Sequence, residues 1–379
     1  MYGRDLLLMT CCLSNNLSSS VFNLMKPYLC FIGPMVGRRP GYINSQLQTV
    51  CDLLKGAGYP VISASALSNR VARMLHIIIT IIRHRSSIDI LVVDVFSGAS
   101  FVVADVASLL GKRFGKPVVM VLRGGALPEF IRRYPRWTMR VLRRADAIIA
   151  PSEFLARVAA EKGLSPRVIP NVIDLSVYPY RHRREVGPRL FWMRSFHSIY
   201  NPSMAVRAMA RLRSMMPGAS LVMAGMDKGL QSSVEQLAEK LDLNGSVRFP
   251  GVLDMAGKAR EGNAADIFLI TNHVDNMPVT AVEACAMGMP VIATAVGGIP
   301  DLLKDEDTGL LVPDDNDEAM ARAIHRLITE PELAERLSAN GRKLAERSSW
   351  EQIRPAWEQV FADLINKATA RPASGFPDR

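Results

Sequence analysis

Cysteine is scarce in this chain. The 379 residues hold five, at positions 11, 12, 30, 51 and 285, an odd number with no C-x-x-C pair. That spacing argues against a disulfide framework and against a cysteine zinc site, and it fits a reducing compartment. The six histidines show no metal-ligand spacing of the H-E-x-x-H kind. Long apolar runs are missing too. A bilayer crossing needs about 18–20 apolar residues, and the richest stretch, 77–82, is broken by Thr80. Negative charge is in deficit, with 36 Asp+Glu against 46 Lys+Arg and a formal charge of +10. The expected partner is therefore anionic: a nucleotide, a phosphorylated lipid or a bilayer headgroup. Nucleic acid fits less well, because the aromatics are not spaced as a stacking platform. No short-period repeat and no low-complexity tract is present.

The chain has material for two packed cores, since 49% of it is apolar and domains average roughly 150 residues. Residues 1–27 read as an extension outside the fold, with Met25 as the natural start. From Tyr28 onward, short apolar runs (28–32, 90–95, 117–122, 147–150) alternate with helix-length segments such as 43–56. Buried-type strands alternating with helices mean βαβ units around a parallel sheet. The pattern thins over 170–189, with 170–188 the expected hinge, and restarts with strand-like runs at 190–193, 221–224, 247–249, 267–270, 291–293 and 310–312. The fold class is thus α/β, as two Rossmann-like halves: 28–180 and 181–348, then an amphipathic helix within 349–370 and a disordered tail at 371–379.

The stretch 275–301, DNMPVTAVEACAMGMPVIATAVGGIPD, is rich in chemistry. Pro278 suits the first turn of a helix, where a missing N–H costs nothing. Asn276 or Met277 would then be the cap. The N–H groups of Met277, Val279 and Thr280, with Pro278 set among them, open that helix, and such an end attracts phosphate oxygens. Asp275 precedes the helix and Glu283 lies about one and a half turns along it. Two carboxylates flanking one anion-binding helix end suit a sugar nucleotide, with diphosphate at the amides, one acid on sugar hydroxyls and the other on ribose.

The stretch resembles the signature of the family 4 glycosyltransferases, retaining enzymes of the GT-B fold. Their pattern is Glu-x7-Glu followed by Ala, a small run, Gly-x-Pro and a strand. Other segments extend the resemblance: Ile32-Gly33-Pro34 with Gly41, Pro151-Ser152-Glu153-Phe154, Pro170-Asn171-Val172-Ile173-Asp174 and Gly309-Leu310-Leu311-Val312-Pro313. The resemblance implies a sugar moved from a UDP- or GDP-linked donor to a polysaccharide, glycolipid or lipid-linked acceptor, without a metal or a resident cofactor. It makes 28–180 the acceptor domain and 181–348 the donor domain, with the helix within 349–370 crossing back onto the first. It implies donor contacts from Gly33 and Gly41 and places Asp275, Glu283 and Arg194 as catalytic residues, Arg194 clamping the diphosphate. Asp275 stands where the family has its first Glu. No Lys follows Arg194 at the family spacing, and Lys228 is the substitute candidate. Where relatives carry a histidine near the reacting sugar, this chain reads Leu122-Arg123-Gly124-Gly125, so Arg123 is a candidate for a phosphate or an anionic acceptor. It is equally a candidate for a structural ion pair.

Two other readings stay open at this point: a non-catalytic sugar-nucleotide binder of the same fold, and a sugar-nucleotide epimerase. Two basic stretches bear on location. Residues 70–85 read as a core helix with solvated arginine ends. Residues 132–144 hold six arginines around Trp137 and suit either a core helix or an interfacial helix on anionic lipid. The chain is expected in the cytoplasm, peripheral on the cytoplasmic face of the membrane.

Overall fold

The computed structural model of the chain describes residues 26–35 and 45–370. All but the last two residues of the expected N-terminal extension, and the tail at 371–379, lie outside the described residues. Runs of β-branched and aliphatic residues form two six-stranded sheets. The first contains β1 (Leu29–Ile32), β2 (Val61–Ala64), β3 (Ile90–Val95), β4 (Val118–Leu122), β5 (Ala147–Ala150) and β6 (Pro166–Val168), in the order β2-β1-β3-β4-β5-β6. The second contains β7 (Arg189–Met193), β8 (Ser220–Ala224), β9 (Val247–Gly251), β10 (Ile267–Ile270), β11 (Val291–Thr294) and β12 (Leu310–Val312), in the order β12-β11-β10-β7-β8-β9. Every pairing is parallel. β2 and β6, short and only partly buried, escape a reading of apolar runs.

Parallel neighbours need crossovers, and helices supply them. In the first half these are α1 (Gln46–Gly56), α2 (Arg70–Arg83), α3 (Phe101–Arg113), α4 (Leu127–Arg133), α5 (Pro135–Leu142) and α6 (Glu153–Ala160). In the second they are α7 (Pro202–Met215), α8 (Gln231–Lys240), α9 (Met255–Ala264), α10 (Val279–Ala286), α11 (Ile299–Leu302), α12 (Asp317–Thr329) and α13 (Pro331–Glu346). The last helix, α14 (Trp350–Thr369), returns to the first sheet. Its Ile353, Trp357, Val360, Phe361 and Leu364 share one core with Leu29, Phe31, Ile90 and Val92. On that sheet's other face, α2 to α6 bury a separate core around Ile77, Phe101, Leu127 and Val141. The second sheet is likewise covered on both faces, by α7 and α12 on one side and α10 and α11 on the other.

Two structural details differ from the sequence reading. The basic stretch at 132–144 is no continuous helix: it breaks at Tyr134, between α4 and α5. Its Trp137 packs edge-on against Phe101 and Phe130 and donates to Asp105 Oδ2 at 2.6 Å, which makes it core-facing rather than interfacial. The expected hinge is also shorter than 170–188. Arg183 is fully buried and donates to the carbonyls of Gly262, Ala265 and Met287, so this part of the connection is bolted to the second half. The two crossings between halves run side by side instead, where the Ile173 N–H donates to the Ser348 carbonyl at 2.9 Å.

Candidate active site

Strand order reverses where β7 and β10 meet, so connections leave their C-terminal ends in opposite directions and a crevice opens between them. Arg194 directly follows β7, and Asp275 lies in the loop after β10. Arg194 Nη2 meets Asp275 Oδ2 at 2.5 Å, and the guanidinium lies over the Tyr200 ring, 5.0 Å from its centroid. Asn272 Nδ2 donates to the same carboxylate oxygen at 2.7 Å, and the Asn276 N–H donates to Oδ1 at 2.7 Å.

The backbone here is held by close approaches that only glycine allows. At Gly297 a Cβ would lie 2.0 Å from the Asp275 carbonyl, and at Gly298 it would lie 2.0 Å from that of Asn276. The Gly298 N–H in turn donates to the Asp275 carbonyl at 2.9 Å. Across the crevice, Gly225 follows β8, and a Cβ there would sit 1.7 Å from the Arg194 carbonyl. The two glycine turns thereby fix Asp275 and Arg194.

Helix α10 begins at Val279, with Pro278 at the cap in extended conformation. This is one place earlier than the first-turn position that the sequence suggested for Pro278. The helix opening faces the first half. Ser152 Oγ donates to Asn276 Oδ1, Asn171 Nδ2 donates to the Met277 carbonyl at 3.4 Å, and Gly125 packs on the Asp275 backbone. Asn276 and Met277 are buried by these contacts. The Asn276 amide is thus already engaged, and because Pro278 has no N–H, the opening amides of the helix are those of Val279 and Thr280, both partly exposed.

Glu283 is buried on α10. Its Oε1 accepts from Lys258 Nζ of α9 at 2.9 Å and from the Tyr178 hydroxyl at 2.7 Å. Burial, and then the charge of Glu283, push the Tyr178 phenol far above its ordinary value, so it stays a donor. Sequence reading missed both partners. Lys258 sits in a polar helix with no motif around it, and Tyr178 lies in the thin connecting stretch. Glu283 Oε2 has no protein partner, nor have Thr280 Oγ1, Arg194 Nε and Asn272 Oδ1. These are four of the seven buried side-chain polar atoms left without a partner among the described residues.

The remaining candidates divide. Arg123 follows β4 and is buried, donating through Nε to Asp94 Oδ1 at 2.8 Å and through Nη1 to Asn171 Oδ1 at 2.7 Å. It is a structural ion pair that reaches the α10 opening through Asn171, rather than an exposed acceptor site. Burial pushes the Asp94 carboxyl up, against the charge and hydrogen bond of Arg123. Gly33 is buried beside Asp94, while Gly41 lies outside the described residues. Lys228 is exposed, and its N–H donates to the Phe196 carbonyl at 3.3 Å, which ties its turn to the loop that carries Arg194. Beyond the ends of β3 and β4, a groove of about 460 Å³ is lined by Ser97, Gly98, Phe130, Arg133, Tyr134 and Trp137. Among the described residues no cluster of His, Cys, Asp and Glu is suited to a metal ion.

Comparison with known proteins bears on the family and the fold. Residues 47–177 match the family described as Glycosyltransferase Family 4, and residues 184–344 match Glycosyl transferases group 1. A D-inositol 3-phosphate glycosyltransferase of Streptomyces bingchenggensis is 33% identical over 132 residues, covering 35% of this chain and 29% of that protein. Matches of this kind span 29%, 40% and 62% of the first three curated relatives. Sucrose-phosphate synthase from Thermosynechococcus elongatus superposes with a TM-score of 0.74 at 18% identity, over 90% of this chain and 100% of that one. Anabaena HepE, solved in complex with UDP and glucose, superposes with a TM-score of 0.71 at 16% identity, over 89% and 100%. Both halves of the sequence and the whole two-sheet architecture therefore give one answer: the chain belongs to the family 4 glycosyltransferases and has the GT-B fold.

Proposed function

We propose that the chain transfers a sugar from a nucleotide-diphosphate donor, UDP- or GDP-linked, to a polysaccharide, glycolipid or lipid-linked acceptor, with retention of configuration. The observation that carries this reading is the group of unpartnered buried polar atoms, Arg194 Nε, Asn272 Oδ1, Thr280 Oγ1 and Glu283 Oε2, around one strand-order reversal. Burying polar atoms without partners is costly, and a ligand that carries both hydroxyls and phosphates would satisfy all four. UDP in a neighbour of the same fold favours a uridine donor.

In this reading Glu283, held by Lys258 and Tyr178, accepts from ribose hydroxyls through Oε2. Asp275 accepts from the transferred sugar. The amides of Val279 and Thr280 and the guanidinium of Arg194 meet the diphosphate. The acceptor hydroxyl attacks the anomeric carbon on the leaving-group face, the bond from that carbon to the phosphate oxygen breaks, and the hydroxyl proton passes to the departing phosphate. The protein's contribution is electrostatic, since Arg194 and the helix end stabilise charge building on the diphosphate. No metal enters this scheme. Lys228 joins the clamp from the neighbouring turn, and the groove near Trp137 takes the acceptor. The buried thiols Cys30 and Cys285, both pushed up to about 12 by burial, fit a reducing cytoplasm.

Thermal-shift titration with UDP-, GDP- and ADP-sugars identifies the donor, because a ligand that binds only the folded chain raises its apparent stability with concentration. With that donor, Arg194→Ala should lower kcat/KM about 10²–10³-fold, and Glu283→Gln should lose the thermal shift. Unchanged kinetics in both variants would reject the site.

A further inference from the structure

The helical layer made by α2 to α6 carries apolar surface that its core does not use. α2 turns Ile77, Thr80 and Ile81 inward. On a helix, residues three and four apart share a side, and Val71, Leu75, Ile79 and Ile82 form a second stripe turned outward. They are 70%, 55%, 58% and 41% exposed. Leu67, just before α2, is exposed as well, and the adjacent α3 exposes Val102 and Leu109. The apolar centre of α2, interrupted by Thr80 alone, hides this in the sequence, where residues 70–85 read as a core helix with solvated ends. Single exposed apolar residues are ordinary, but a grouped set on neighbouring helices marks an interaction surface.

The rim of this surface decides the partner. From 66 to 88 the chain has no acid, while Arg70, Arg73, Arg83 and Arg85 frame the stripe. Arg73 and Arg85 donate to backbone carbonyls of Leu67 and Ile82, and none of the four pairs with a carboxylate among the described residues. Arg113 adds positive charge at the end of α3, beside Lys112, which is paired with Asp146 at 2.5 Å. A second copy docking here in two-fold fashion would bring these arginines face to face. Residues 1–25 supply no counter-charge either, holding one acid, Asp5, and one base, Arg4. We propose that the outer face of α2 and α3 docks on an anionic lipid bilayer. The apolar stripe enters the boundary between headgroups and acyl chains, and the arginines meet lipid phosphates. No helix among the described residues is long and apolar enough to cross a membrane.

The test is co-sedimentation of the full chain with vesicles of phosphatidylcholine and phosphatidylglycerol in equal parts, against phosphatidylcholine alone. Binding should need the anionic lipid and fall as salt rises. The double substitution Leu75→Ser with Ile79→Ser should weaken it about tenfold or more, and Arg83→Glu with Arg85→Glu should remove its salt-sensitive part. All four side chains are exposed, so both variants should melt with the wild type. The proposal is overturned if the wild type ignores anionic vesicles at low salt, or if the serine variant binds them as well as the wild type. Self-association of the wild type that the serine variant abolishes, without vesicle binding, would overturn it in favour of a second copy. None of these outcomes alters the donor-dependent thermal shift, so the two proposals fail separately.

Discussion

At the residue scale the site depends on atoms that never touch a ligand. Gly225 is the clearest case. Any side chain there meets the Arg194 carbonyl, so Gly225→Ala must push the Arg194 loop outward. The expected stability cost is about 1–3 kcal/mol, with a much larger loss of the donor-dependent thermal shift. Gly218→Ala, where nothing lies within 4 Å of the added Cβ, is the control and should change neither. A Gly225→Ala protein that keeps the full donor shift would remove Arg194 from the clamp. Much of this scale was legible in the sequence, because Asp275, Glu283 and the Gly-Gly turn fall within one stretch whose spacing carries its own meaning. Lys258 was not legible, because its role arises from α9 packing on α10, twenty-five residues on. Arg123 was legible as a position but not as a role, since a guanidinium after a strand serves a ligand or a buried aspartate equally well. Only the Asp94 and Asn171 contacts decide between them.

At the scale of elements, the connection after the hinge behaves as a strap on the second sheet. Asp266, just before β10, is buried and accepts from Arg181 at 3.0 Å, from Arg189 at 2.7 and 2.9 Å and from the Gly187 N–H at 3.2 Å. Burial alone would raise the Asp266 carboxyl, but the hydrogen bonds and charges of Arg189 and Arg181 outweigh it and hold the group below its ordinary value. The sign follows. A carboxylate whose folded pKa is depressed stabilises the fold above its unfolded pKa, and that contribution is lost as pH falls through the folded value, on the acid side of about pH 4. Asp266→Asn should therefore destabilise the protein by about 1–3 kcal/mol at neutral pH and flatten the acid limb of its stability curve. Urea melts from neutral to acid pH check this, and parallel wild-type and variant curves would contradict it. The strap itself was invisible in the sequence, where 170–189 reads only as thinning strand pattern with prolines and bases.

At the scale of the whole molecule, the halves meet through the Arg157–Asp301 pair at 2.8 Å as well as through Ser152 with Asn276 and Asn171 with Met277. Alternation of strands and helices predicted two parallel sheets, since that periodicity is local. The return of the last helix to the first half is written in no local pattern and is expected only from the family resemblance. Trp357, almost fully buried, anchors that helix to the first sheet. Trp357→Ala should cost about 3–5 kcal/mol and open α14 to proteases, while leaving the second sheet resistant. Limited digestion with mass mapping would read this, and an undiminished melting temperature would show that the helix is dispensable. The placement of α14 also sets an order of assembly. On the ribosome, the second sheet's strands and helices are all available once residue 346 has emerged. The first sheet, although made earlier, keeps an uncovered apolar flank until residues 353–364 arrive. The half synthesised first is thus completed last, and a nascent chain stalled before that point presents a sticky surface to chaperones.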